Sequence, residues 1–165
     1  MITIQCETGD HVQIEADTLV GADISRRNLH RALLEGADLR EADLSDSDLR
    51  SARLQGATLD GATLRRASLA AAEASCASFV KADLSDAMMR SADFEGADFT
   101  GADLRNARVE GSTFVRAILD AADLRCVGLG KANLFGARAD GLTLWPDGFN
   151  PALCGVEMKR RSEGR

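Results

Sequence analysis

From Ala22 to Leu144 a large apolar residue returns at every fifth position. The series runs Ile24, Leu29, Leu34, Leu39, Leu44, Leu49, Leu54, Leu59, Leu64, Leu69 and Ala74. It continues through Phe79, Leu84, Met89, Phe94, Phe99, Leu104, Val109, Phe114, Leu119, Leu124, Leu129, Leu134, Ala139 and Leu144. These are 25 units with no change of spacing, and only Ala74 and Ala139 are small. Two residues before each centre stands Ala in 20 units, the exceptions being Arg27, Ser47, Ser112, Val127 and Leu142. One residue before the centre stands Asp or Asn in 11 units.

Neither regular element has this period. A helix repeats near 3.6 residues and a strand at 2. On a helix five residues advance about 500°, so the Leu stripe would wander around the cylinder and leave no polar side. A strict five instead predicts one short straight edge and one corner per unit, wound into a solenoid. The centre and the small residue before it point inward, and the other three positions meet solvent. Successive layers lie at the strand spacing of roughly 4.8 Å.

The Ala-rich composition agrees with a narrow interior: 45% of residues are hydrophobic but only 4% aromatic, with one Trp, six Phe and no Tyr. The 165 residues make one ordinary domain. A net charge of −6 and a pI near 4.9 argue against a generic nucleic-acid binder. No run of apolar residues is long enough to span a membrane, and the N-terminus lacks the pattern of a signal peptide. Cys6, Cys76, Cys126 and Cys154 form no C-x-x-C pair and no cluster with His11 or His30. A cytoplasmic protein with reduced thiols and no metal or cofactor is expected. Cys76 and Cys126 each stand two residues after a centre, 50 residues apart, and so are expected at outward corners of opposite faces, too far apart for a disulfide.

The ends of a solenoid need covering. Ile2 and Ile4, then Val12 and Ile14, alternate with polar residues around the turn signal Glu7-Thr8-Gly9-Asp10, which predicts a hairpin over the first 17 residues. At the other end Trp145 and Phe149 supply rings for the last layer. Asn150 followed by Pro151 signals a helix start, predicting a short helix over about 151–159 that ends on Lys159-Arg160-Arg161, with the final residues frayed. The expected organisation is an N-terminal cap over 1–21, the repeats over 22–146 and a C-terminal cap and tail over 147–165.

The units Ala37-Asp38-Leu39, Ala42-Asp43-Leu44, Ala82-Asp83-Leu84, Ala97-Asp98-Phe99 and Ala102-Asp103-Leu104 resemble the A(D/N)LXX pattern of the pentapeptide-repeat family, and the resemblance covers about three quarters of the chain. It implies an all-β, right-handed quadrilateral β-helix with four units per coil, about six coils here and roughly 29 Å of rod. Every fourth centre then stacks on one face. The faces are led by Ile24, Leu29, Leu34 and Leu39. Phe94 and Phe114 fall on the Leu34 face, directly above Ala74, and Phe79 and Phe99 on the Leu39 face.

No nucleophile elbow, P-loop or dinucleotide fingerprint occurs, and the carboxylates recur with the structural period, where Asp bonds backbone N–H groups in turns. The protein is therefore read as no enzyme. The leading expectation is a rigid module that presents its sides or end to another protein. Val115 and Phe135 are outward residues one coil apart. With Leu153, Val156 and Met158 they make a candidate partner or dimer patch, the alternative being that they pack under the C-terminal cap. The resemblance also implies a second function. Some members of the family are acidic rods that imitate duplex DNA, protect DNA gyrase and topoisomerase IV from quinolones or toxins, and form homodimers through the C-terminal end. Outward charge by face is −2, +3, −2 and −3 for the Ile24, Leu29, Leu34 and Leu39 faces. Asp93, Glu95 and Asp98 form the best candidate acidic mimic surface. Arg residues interrupt every face, and Leu rather than Phe dominates the centres, so mimicry ranks second.

Overall fold

The computed structural model describes residues 1–159. Its main body is a ladder of parallel bridges, each joining the residue before one centre to its counterpart twenty residues on: Asp23 to Asp43, Asp43 to Thr63, Thr63 to Asp83, Asp83 to Asp103 and Asp103 to Asp123 on one face. Twenty residues are four five-residue units, so each turn of the chain has four short edges and four corners. The ladder bonds are short and regular, as in Ile24 N–H to the Asp43 carbonyl at 2.7 Å and Asp43 N–H to the Ala22 carbonyl at 2.9 Å. The pairing is parallel because successive coils wind in the same sense, so each edge meets the next one running the same way.

Each corner is a tight turn. The Ala at the start of a unit donates its N–H to the preceding centre's carbonyl, for example Ala32 to Leu29 at 3.0 Å. The residue two after the centre has a positive φ at each unit from Gly21 to Ala121, which is the signature of a type II turn. Inside, Ile24, Leu39, Leu44, Leu49, Leu64, Phe79, Phe94 and Phe99 are fully buried, and the Ala positions beside them are closed as well. The Phe residues form two vertical stacks on adjacent faces. Phe79 lies parallel to Phe99 with centroids 4.9 Å apart, and Phe94 lies over Phe114 at 5.2 Å. The stacks meet edge to face, Phe94 against Phe99 at 5.3 Å and 78°.

Two units depart from the fivefold frame. Arg108 pairs with Val127, nineteen residues on, and Asp123 pairs with Leu144, twenty-one residues on. Side-chain size explains both. Beyond Arg27, which opens one column with its side chain exposed, the position two before the centre faces a column that holds Ala, or a Ser that satisfies itself, as Ser47 does by donating to the Leu44 carbonyl at 2.6 Å. The frame would put Val127 and Leu142 into that column. Instead Cys126 and Thr143 occupy it, and Val127, Leu142 and Leu144 stand 47%, 68% and 48% exposed. Thr143 satisfies its hydroxyl on the Leu119 carbonyl at 2.8 Å. The expectation that Leu144 is the last inward centre is therefore corrected: half-buried Trp145 follows it against the core and stacks on Phe149 at 5.4 Å. The expectation that Cys126 sits at an outward corner like Cys76 is corrected in the same way, since Cys126 is buried while Cys76 is exposed.

At the N-terminus β1 (Ile2–Gln5) and β2 (His11–Ile14) form an antiparallel hairpin with Ile2 opposite Ile14 and Ile4 opposite Val12. Ile4, Cys6 and Ile14 are buried. The hairpin joins the first coil through Leu33 N–H to the Gln5 carbonyl at 2.8 Å and Glu7 N–H to the Arg31 carbonyl at 2.9 Å, which closes the strand edge on the Leu34 face.

The helix expected over 151–159 is a single 3-10 turn, Pro151–Cys154. Asn150 does cap it, accepting the Ala152 N–H at 3.1 Å, but Gly155 at φ 76° ends it. Beyond it β4 (Glu157–Met158) pairs in parallel with β3 (Arg138–Ala139), because the ladder offers the Ala137 and Ala139 carbonyls to Glu157 and Lys159, both at 2.7 Å. A second 3-10 turn, Leu129–Lys131, carries the chain past the first register change. Arg160, Arg161 and the tail expected to fray lie outside the described residues.

Candidate protein-interaction surface

The sides of the rod are polar because the repeat consumes its own charge. All eleven Asp and Asn side chains that precede a centre accept the backbone N–H two residues on, from Asp23 with Ser25 at 3.0 Å to Asn133 with Phe135 at 3.1 Å. Where that second residue is Arg, its guanidinium folds back onto the same carboxylate. Arg40 on Asp38, Arg50 on Asp48, Arg105 on Asp103 and Arg125 on Asp123 make such forks, with the closest contacts 2.5–2.6 Å. The Arg donors hold the carboxyls of Asp48, Asp103 and Asp123 below the usual carboxylate range.

The remaining pairs run along the rod axis, such as Arg66 to Asp46 at 2.8 Å and Arg90 to Glu110 at 3.1 Å. Pairing is uneven between sides. On the adjacent Leu34 and Leu39 faces, Glu35, Asp38, Glu95 and Asp120 meet a cation within 4 Å. Glu41, Asp60, Glu73, Asp93, Asp98 and Asp140 meet none among the described residues. The acidic trio read from the sequence is thus divided. Asp93 and Asp98 keep uncompensated charge while accepting the Glu95 and Thr100 N–H groups, whereas Glu95 faces Arg116 at 3.3 Å.

Apolar exposure follows a different geometry. The exposed large hydrophobic side chains are Met1 and Leu33 at one end, and Val127, Phe135, Leu142, Leu144, Leu153 and Met158 at the other. The sides between carry none among the described residues. Of the expected patch, Phe135 and Leu153 are 70% and 85% exposed, Met158 is 43% exposed and Val115 is half-buried. Val156 is corrected: it is buried and belongs to the core, held just before β4 by its N–H on the Pro151 carbonyl at 3.2 Å. The Phe135 ring lies over Gly155, 3.1 Å from where a Cβ there would stand. Sequence reading missed Val127, Leu142 and Leu144. For Val127 and Leu142 the signal was apolar bulk in a column that otherwise holds Ala or Ser beyond the first coil, and Leu144 turns out with the shift at Leu142.

Concave features are shallow. One open depression of about 530 Å³ lies between the hairpin and the first coil, beside Gln13, Glu15, Asp23 and Arg27. Another of about 200 Å³ lies among Arg65, Ser85, Asp86, Arg105 and Asn106. Among the described residues no group of three or more His, Cys, Asp or Glu side chains is placed to hold a metal ion, and no helix is long and apolar enough to cross a membrane.

The sequence model described as "Pentapeptide repeats" matches eight copies, through residues 19–56, 28–66, 47–86, 64–101 and 102–138. The chain belongs to the pentapeptide repeat family. The family's right-handed β-helix agrees with the parallel ladder. Among solved structures, this pentapeptide repeat protein is similar to Rfr23 of the cyanobacterium Cyanothece 51142, at 26% identity and a TM-score of 0.57 over 78% of this chain and 87% of that one. It is similar to a pentapeptide repeat protein of the Arabidopsis thaliana thylakoid lumen, at 31% identity and a TM-score of 0.49 over 64% and 66% of the two chains. A third similar structure is QnrB1, a plasmid-mediated fluoroquinolone resistance protein, at 18% identity and a TM-score of 0.48 over 88% and 86%. No curated protein matches the chain.

Proposed function

We propose that this protein is a non-enzymatic, rigid protein–protein interaction module of the cytoplasm that engages its partner through its C-terminal end. In this reading residues 1–21 cap the rod, residues 22–146 build its roughly six coils, residues 147–165 are the C-terminal cap and tail, and the contact surface is shared between the last coil and the cap. The observation that carries the proposal is the concentration of exposed Phe135, Leu142, Leu144, Leu153 and Met158 at one end of a molecule whose sides expose no such residues among those described. An apolar cluster rimmed by polar surface marks a contact site. Val115, one coil before Phe135, extends it along the Leu34 face. The partner is a second copy of the chain or another protein. Comparing proteins captured from native cytosol by the parent and by Phe135→Glu tests this directly. A partner captured by both equally well removes the C-terminal end from the interface.

A second reading rests on the six carboxylates of the Leu34 and Leu39 faces that lack a cation. Uncompensated negative charge along a rigid rod is the physical requirement for imitating duplex DNA. Asp93 and Asp98 belong to that strip, and Glu95 joins it when Arg116 swings away. The expected target is DNA gyrase or topoisomerase IV. A supercoiling assay with and without a quinolone decides: neither inhibition nor protection at micromolar protein rejects mimicry.

A further inference from the structure

We propose that the corner between Leu124 and Leu129 is a two-register element, in which Cys126 and Val127 compete for one inward position and the size of Val127 selects the register seen. The sequence frame is unbroken here, since Leu124, Leu129 and Leu134 are five apart and all buried. Only the four residues between Leu124 and Leu129 shift. From Asp123 to Val127 the ladder advances four residues, and from Val127 to Asn133 it advances six. The element therefore departs and returns without disturbing the coil before it or the centre after it.

In the register seen, Cys126 fills the small-residue column above Ala107, 8% exposed, and Val127 points out, 47% exposed. The usual corner bond is replaced by a tighter one, Cys126 N–H to the Leu124 carbonyl at 2.6 Å, spanning two residues. Gly128 then takes φ 82°, with the Glu110 side chain where a Cβ would stand, 2.2 Å from its Cγ. The in-frame register differs in each respect. Val127 turns inward, Cys126 becomes the corner residue with positive φ, and Gly128 becomes an extended ladder residue. Cys76 occupies that same corner position with φ 56° and is exposed, so the chain tolerates Cys there. Val in a column built for Ala is overpacked, which disfavours this register.

The exchange has a chemical consequence. Burial pushes the Cys126 thiol up to about 12, so almost none of it is thiolate at neutral pH. In frame the thiol sits in water like Cys76, and an apolar side chain leaves the exposed C-terminal end. The register thus couples thiol reactivity to the surface that carries the proposed contact.

Alkylation of the full-length protein with iodoacetamide, resolved residue by residue by peptide mass spectrometry, tests this. Cys76 is the exposed reference and Cys6 the buried one. Val127→Ala relieves the overpacking, and Gly128→Ala penalises the register seen through its positive φ and Glu110. Each variant should raise Cys126 alkylation by about tenfold or more towards the Cys76 rate, with Cys6 and Cys154 unchanged. Two results would overturn the proposal: Cys126 staying as slow as in the parent in either folded variant, or Cys154 accelerating together with Cys126, which means that the end simply unfolds. A Val127→Ala protein that fails to fold also counts against it, since the in-frame register then cannot form.

Discussion

At the scale of the residue, the repeat works by making one polar side chain do two jobs. The Asp or Asn that precedes eleven of the centres ties down the N–H at the start of the corner and, where Arg follows an Asp two residues on, the carboxylate neutralises that Arg. Because Asp103 and Asp123 have depressed carboxyl pKa values in the folded state, their contribution is present above the ordinary carboxylate pKa and lost as pH falls through the folded value. Arg125→Ala should therefore lower Tm at pH 7 and lower it less at an acid pH below the ordinary carboxylate range, where Asp123 takes up its proton and the pair is lost in the parent too. Thermal melts across pH check this, and an equal loss at both pH values would assign Arg125 to packing instead. The corner itself stores strain. Among the described residues, fourteen other than Gly hold positive φ, including Ala71 at 56° and Ala121 at 54°. Neither Ala side chain belongs to the buried core, so Ala71→Gly and Ala121→Gly should stabilise by about 0.5–1 kcal/mol each. Gly61→Ala should do the reverse, since Gly61 holds φ 66° and a Cβ there also displaces the end of the Glu41 side chain. Urea unfolding reads all three.

At the scale of the element, each edge is too short to stand alone and is stable only against its neighbours one layer up and down. The Phe ladder shows how tightly those layers couple, since Phe99 touches Phe79, Phe94 and Phe114 at centroid distances of 4.9–5.5 Å. Phe99→Ala should cost about 3–5 kcal/mol, and Leu84→Asp should prevent cooperative folding by placing a carboxylate in a dry column. Denaturant titration and far-UV circular dichroism measure both outcomes. These columns were legible once the resemblance to the pentapeptide-repeat family supplied four units per coil, because a period of five wound four to a layer puts residue n over residue n + 20. Phe79 over Phe99 and Phe94 over Phe114 follow without any structure. The register changes at Val127 and Leu142 were not legible from spacing, since the spacing never breaks. What decides them is volume and polarity: Ser47 and Ser112 fit the Ala column, Arg27 at its N-terminal end keeps the frame with its long side chain exposed to solvent, and the short apolar Val and Leu can do neither. The C-terminal helix was misread for a related reason. Asn150-Pro151 signals a helical start wherever the chain goes next, but Gly155 and the free carbonyls of the last coil draw residues 157–159 into the ladder. Of the candidate surface, Phe135, Leu153 and Met158 were legible as outward residues, while the pairing of Glu95 with Arg116 depends on rotamers that no repeat pattern encodes.

At the scale of the whole molecule, charge and apolar surface are segregated: charge lies along the sides and exposed hydrophobic residues lie at the ends. The two kinds of surface respond to salt in opposite ways. Attraction to uncompensated carboxylates is screened, with a Debye length of about 10 Å at 0.1 M salt and about 3 Å at 1 M. Association through Phe135, Leu153 and Met158 buries apolar area and is not weakened by salt. A self-complementary patch on one end pairs two copies about a twofold axis and closes there, so assembly stops at the dimer. Sedimentation velocity at low and high salt should accordingly give a dimer whose dissociation constant does not rise with salt. Phe135→Glu should shift it to monomer, because two copies of the new carboxylate meet near the axis. Phe135→Glu that leaves the mass unchanged would release the C-terminal end from self-association and leave it free for a different protein. A dimer that dissociates in high salt would instead assign the contact to opposite charges, the acidic Leu34 and Leu39 faces of one copy against the basic Leu29 face of the other.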